Sequence, residues 1–124
     1  MKPAEAAGIF LASGLGGLVR AWIGTVLAPT AGGLPYGTLA VNGIGALVIG
    51  VLIGVGLAPE STAYRVLAIG FLGGFTTFSA FAGETVRLGS DQPMQAGGYV
   101  MLTVFGGLGL AWLGSLLGHA LAPR

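Results

Sequence analysis

Four stretches of this sequence, roughly residues 6–28, 36–57, 63–89 and 95–118, are apolar, and each is long enough to cross a bilayer. Crossing takes about 20 mostly apolar residues. In lipid every backbone N–H and C=O must find its partner within the protein, and a helix does this locally. Only short connections remain: APTAGGLP at 28–35, APEST at 58–62 and GSDQP at 89–93. The pattern predicts an all-α membrane protein, with residues 1–124 forming a single four-span transmembrane domain. It leaves no room for a soluble domain or an extramembrane active site. Composition agrees, at 54% hydrophobic and 7% charged, where soluble domains carry about 25% charged residues. A soluble fold of this size has too little interior to hide so much apolar surface. Lys2 before an apolar run would suit a cleaved signal peptide, but the run is broken by glycines and continues past Arg20 to a full span.

Several function classes fall away. There is no cysteine, hence no disulfide framework or thiol chemistry. A net charge of +1 supplies no basic patch for nucleic acid. His119 is the one histidine, too few for a transition-metal cluster. No Ser–His–Asp set or converging carboxylate pair is visible, so an enzyme is not expected.

The 25 glycines point to helices packed backbone to backbone. Ala46, Gly50 and Gly54 recur every fourth residue on the second span, and Gly107, Ala111 and Ser115 on the fourth. Such stripes suit internal packing and a dimer face equally. Orientation signals are nearly balanced. Lys2, Arg65 and Arg124 fall on one side, against Arg87 and, if it snorkels outward, Arg20 on the other. This balance permits insertion both ways, and hence an antiparallel dimer.

Polar residues at membrane depth are costly and face protein or water. Arg20 suits a structural role, capping carbonyls or lining an aqueous mouth, and as a permanent cation it attracts anions. Asn42 in GTLAVNGIG is either helix–helix glue or a two-proton donor for an anion, with Thr38 one turn before it on the same face. GGFTTFSAF at 73–81 puts Gly73-Gly74 and Thr76-Thr77 at mid-span, which predicts a third helix broken mid-membrane. Exposed carbonyls at such a break can coordinate a cation. Phe78 and Phe81 share a helical face, and the positive edge of a phenyl ring can stabilise an anion. Ser79 lies beside them on a different face. Tyr99 and Thr103 are one turn apart and can align two hydroxyls. Glu84 and Arg87, at i and i+3, read as a local ion pair.

Taken together, GGLVR at 16–20, GTLAVNGIG at 37–45, GGFTTFSAF at 73–81 and YVMLTVFGG at 99–107 resemble the Fluc family of bacterial fluoride channels, also called CrcB proteins. The resemblance covers nearly the whole chain, and the third motif is the most specific. It implies a passive fluoride channel that gives fluoride resistance. It implies a dual-topology, antiparallel homodimer, multi-pass in the bacterial inner membrane, with two pores. By position, Asn42, Phe78 and Phe81 match the family's pore asparagine and aromatic pair. Thr38, Tyr99 and Thr103 match polar pore or vestibule positions, and Ser79 is grouped with them. Arg20 matches the first-span arginine. Gly73 and Thr76 match residues whose backbone carbonyls, from both subunits, hold a structural sodium ion (Na+). Gly107 departs from relatives that carry a serine there, which shortens the hydroxyl track.

Two other readings compete. A small multidrug-type exporter shares the size and topology, but proton-coupled export needs a buried carboxylate, and the first span has none. A non-transporting membrane assembly subunit would use the small-residue stripes to dock a partner, but needs none of Asn42, the break or the aromatic pair.

Overall fold

A computed structural model describes residues 1–123; Arg124, one of the orientation charges, lies outside the described residues. The first helix, Pro3–Val26, opens with proline in its first turn, where the missing N–H is one the helix leaves unbonded anyway. Glu5 takes the Lys2 backbone N–H at 3.4 Å, an anion well placed at the positive end of the helix dipole. The second helix, Tyr36–Gly54, is followed by Gly56 at φ 77°, a left-handed position that glycine occupies without a Cβ clash.

The third span is composite. Ser61 caps it by accepting the Tyr64 N–H on its hydroxyl at 3.1 Å. One α-turn, Thr62–Tyr64, leads into a π-helical stretch, Arg65–Leu72, then a short α-helical segment, Gly73–Phe75. Two extended residues, Thr76 and Thr77, follow, and the helix resumes as Phe78–Asp91. The fourth helix, Pro93–Leu121, starts after Gln92 alone. The expected GSDQP loop is thus almost wholly helical. Proline bars the residue before it from helical geometry, so Gln92 at φ −138° makes the turn by itself and Pro93 begins the next helix.

All four spans are long and apolar enough to cross a membrane, and the chain is a multi-pass membrane protein. The helices pack as two intimate pairs. Second and fourth helices make the most extensive contact. A Cβ added to Gly50 would strike the Ala111 carbonyl, one on Gly54 the Ser115 carbonyl, and one on Gly114 the Leu47 carbonyl. Gly50, Gly54, Ala111 and Ser115 of the small-residue stripes therefore seat the second and fourth helices against each other within one chain, while Gly107 has nothing within 4 Å of an added Cβ. The first helix pairs in the same manner with the first half of the third span: Gly16 abuts the Phe71 carbonyl and Gly74 abuts the Ser13 carbonyl. Glu5 and Arg65 lock one end of this pair with an ion pair of 3.2 Å. Val41, Leu72 and Phe75 form the small core joining the two pairs. Most large apolar side chains, among them Phe10, Leu18, Trp22, Phe105 and Trp112, point outward, as lipid-facing residues do.

Candidate functional site

The site is built around Thr76 and Thr77. Both are extended, at φ −87°, ψ 162° and φ −153°, ψ 116°. Gly73 and Gly74, expected to share in the break, stay helical. The β-branched threonines favour extended backbone, while Gly74 is needed for its close approach to Ser13. Thr76 turns its hydroxyl back to the Leu72 carbonyl at 2.8 Å, the oxygen its own N–H also reaches at 2.9 Å. Thr77 caps the resumed helix, its hydroxyl accepting the Ala80 N–H at 3.1 Å. Such a cap satisfies a donor that a helix start otherwise leaves bare.

Asn42 closes the opened backbone from the second helix. Its Nδ2 donates to the Thr77 carbonyl at 3.0 Å, and its Oδ1 accepts the Thr77 N–H at 2.7 Å. Of the two expected roles, helix–helix glue takes one of the two amide protons and leaves the other free. Arg20 Nε donates to the Gly74 carbonyl at 3.0 Å, placing a cation at the negative end of the helical segment.

The carbonyls of residues 73–76 lose their helical donors here, and that of Gly74 takes Arg20 instead. The Thr77 N–H that a continuous helix would give to Gly73 goes to Asn42. The Ala80 N–H that would serve Thr76 goes to the Thr77 hydroxyl. Gly73 and Thr76 border one pocket of about 310 Å³ together with Gly45, Ala46, Ala68 and Leu72. Backbone carbonyls are hard oxygen donors, suited to an alkali cation rather than a transition metal. Among the described residues no group of His, Cys, Asp or Glu could hold a metal ion.

On the other side of Thr76 lies a groove of about 430 Å³, bordered by Asn42, Thr77, Phe78, Phe81, Thr103 and Gly107 among others. Phe78 is 77% exposed and Phe81 7%. Their rings meet edge to face, with centroids 5.5 Å apart at 65°, and Phe81 meets Tyr99 likewise at 5.3 Å and 61°. The Thr103 hydroxyl is buried with no hydrogen-bond partner, a polar group that protein structures seldom leave bare. Ser79 is exposed and stands outside this groove, its hydroxyl 3.3 Å from that of Thr77.

Thr38 and Tyr99 do not line the groove. They converge on Glu84, Thr38 donating to one carboxylate oxygen at 2.7 Å and Tyr99 to the other at 2.8 Å. The expected Glu84–Arg87 ion pair is not formed; the hydroxyls of two other helices occupy both oxygens instead. Arg20, Thr38 and Thr77 share a further pocket of about 90 Å³. Glu84 is the residue that sequence reasoning missed. A signal for it exists: Thr38 lies one turn from Asn42, and Glu84 two turns from Thr77, so pairing Asn42 with Thr77 aligns the other two.

A model of the family described as CrcB-like protein, Camphor Resistance (CrcB), matches residues 7–115. Similar curated proteins share the name fluoride-specific ion channel FluC. That of Bordetella avium is 41% identical over 116 residues, covering 89% of this chain and 92% of its own length. That of Dechloromonas aromatica is 43% identical over 115 residues, covering 86% and 85%. That of Syntrophotalea carbinolica is 44% identical over 102 residues, covering 75% and 80%.

Proposed function

The chain belongs to the CrcB-like family, and on that premise we propose that it is a fluoride channel whose ion path runs past Phe78, Phe81, Asn42 and Thr103. The activity is conduction rather than catalysis. The observation that carries the path is the groove that the edge-to-face ring pair borders together with Asn42, which has a second amide proton to give, and Thr103, whose buried hydroxyl has no partner. Fluoride is small, strongly hydrated and an avid hydrogen-bond acceptor. Ring edges and a few N–H and O–H donors replace part of its hydration without holding it too tightly to leave, as conduction requires. Arg20 adds positive potential near this path, and Thr38, Tyr99 and Glu84 form a polar station beside it. Ser79 stands outside the groove, its hydroxyl beside that of Thr77, and takes no direct part in the path. Passage is passive. An inside-negative potential drives the anion outward with about 2.3 kcal/mol per charge per 100 mV.

The groove and the Gly73–Thr76 pocket are both open-sided, which supports completion by a second copy. The balance of Lys and Arg supports an antiparallel homodimer in the bacterial inner membrane. In that dimer the Gly73 and Thr76 carbonyls of both copies would hold a sodium ion, whose charge would offset their converging dipoles. The case against the exporter had leaned on the lack of a buried carboxylate in the first span. The first helix begins at Pro3 and includes Glu5, which is buried, and Glu84 adds a half-buried carboxylate on the third span, so that argument no longer holds; the fluoride-channel relatives are what favour the channel.

The test is efflux from potassium-loaded liposomes with valinomycin, read by a fluoride electrode, with chloride-loaded liposomes in parallel. Fast fluoride loss without chloride loss is expected. No fluoride loss from folded protein would sink the reading. The chain has no cysteine, so single introduced cysteines labelled from either face report dual topology directly.

A further inference from the structure

The break divides the 30-residue third span into two unlike halves. Before it, RVLAIGFLGGF is apolar after its arginine; beyond it, FSAFAGETVRLGSD is dense in hydroxyls and charges. Polar groups at membrane depth face protein or water. One side of this second half is accounted for, since Phe81 and Glu84 pack on Tyr99 of the fourth helix. On the opposite side Ser79, Gly83 and Arg87 follow one another at spacings of four. Ser79 and Arg87 are exposed and Gly83 is half-buried; Val86 and Ser90, both exposed, share the face. None of them borders the groove. The inner end of the row nevertheless reaches it, because the Ser79 hydroxyl lies 3.3 Å from that of Thr77, which does.

Arg87 is the informative member. It comes ten residues after Thr77, about 15 Å along a helix axis, and half a hydrocarbon core is about 15 Å thick. A lipid-facing arginine at that depth extends outward to the headgroups. This one turns back: its Nη2 lies 3.9 Å from where a Cβ on Gly83 would stand, one turn nearer the break. It also lacks a counter-ion. Among the described residues the ion pair is that of Glu5 with Arg65, and Asp91, one turn further out, makes none with Arg87. Glu84 is held by Thr38 and Tyr99. An unpaired cation turned inward at that depth needs water around it. On a wet wall between low-dielectric surfaces, such a cation draws anions.

We propose that Ser79, Gly83 and Arg87 line a water-filled approach to the groove, and that Arg87 gathers small anions in it before they reach Thr77. Ser79 marks the wet face and gives the ion no ligand in the groove. That the gathered anion is fluoride rests on the channel reading above.

The chain has no cysteine, so Ser79→Cys in full-length protein in liposomes carries the one thiol. Two water-soluble methanethiosulfonates, the sulfonatoethyl anion and the trimethylammonioethyl cation, modify it at rates whose ratio reads the local potential. Both should react there, while Leu18→Cys, at an exposed apolar position on the first helix, stays unmodified. Arg87→Gln should lower the anion-to-cation rate ratio about threefold or more at low salt, and Arg87→Lys should preserve it. The difference should fade near 1 M salt, where the Debye length is about 3 Å. Gly83→Cys, whose added Cβ meets only Arg87 at 3.9 Å, serves as reporter should Ser79→Cys not fold. A thiol that neither reagent reaches means that lipid or a second copy covers the face, and overturns the proposal. A ratio unmoved by Arg87→Gln overturns it as well, and leaves Arg87 to the lipid headgroups. At low fluoride and low salt, Arg87→Gln should pass fluoride several-fold more slowly than the parent and Arg87→Lys nearly as fast; equal rates for all three would overturn the gathering role. Parent protein that folds but passes no fluoride defeats the channel reading instead, and the rate ratio then judges the approach and its potential by itself.

Discussion

Asn42 and Thr77 form a closed pair: the amide of one gives and takes a hydrogen bond with the backbone of the other, at 3.0 and 2.7 Å. A side chain thus replaces the helical partners that an extended residue gives up in a medium without water. Asn42→Ala leaves the backbone N–H bare on a residue only 9% exposed, at a cost of about 1–3 kcal/mol, while the Thr77 carbonyl keeps the first bond of the helix that Thr77 caps. Asn42→Asp still accepts the Thr77 N–H but cannot donate, so it should lose less. Thermal unfolding in detergent checks the order: parent, then Asp, then Ala.

The two phenylalanines should separate stability from flux. Phe81 is buried against Tyr99 and Phe78, so Phe81→Ala should cost about 3–5 kcal/mol. Phe78 stands exposed on the single chain, and Phe78→Ala should cost little in fold stability. Both should lower fluoride efflux. Normal efflux from both variants would mean that ring edges do not line the path.

Glu84 holds the hydroxyls of Thr38 and Tyr99 together. Glu84→Ala frees both, and the buried Tyr99 hydroxyl then lacks a partner, for a loss of about 1–3 kcal/mol. Glu84→Gln keeps an acceptor and should lose less. Tyr99→Phe in the Glu84→Ala background should restore part of the loss, because it removes the orphaned group. A double-mutant cycle of melting temperatures reads this coupling.

Glycines in the second–fourth helix seam should be intolerant, and those with open space around them tolerant. Gly50→Ala and Gly114→Ala drive a methyl into a facing carbonyl and should unfold the pair or lower its melting temperature sharply. Gly109 has nothing within 4 Å of an added Cβ. Gly109→Ala should be neutral or stabilising by up to about 1 kcal/mol, through helix propensity alone. Size-exclusion profiles and melting curves of the variants in detergent make the comparison.

Sodium should matter if the Gly73 and Thr76 carbonyls hold it. Protein purified throughout in N-methylglucamine buffer should show reduced efflux and a lower melting temperature, both restored by adding sodium. A protein indifferent to sodium in both assays would remove the ion from the account.

The division between sequence and fold follows the range of the forces. Span number, membrane class and family were legible because apolar length and short motifs are local properties. Ser61 at a helix start and Pro93 after a turn are local signals of the same kind. Which way the small-residue stripes face was not legible, since Gly50 packs equally well on a fourth helix or on a second copy until the neighbour is known. The same holds for Glu84. Its nearest charge in sequence is Arg87, but the hydroxyls of Thr38 and Tyr99 come from helices remote in the chain. The residues of the break were readable only to within a few positions: the glycines stayed helical because the first helix presses on Gly74, and the threonines opened because Asn42 was there to satisfy Thr77. The winding of Arg65–Leu72 carries no composition signal at all. By itself the sequence determined what must lie in the membrane and which polar groups need partners. Only the tertiary structure decided which partners they take, because buried hydrogen bonds are satisfied between helices rather than along them.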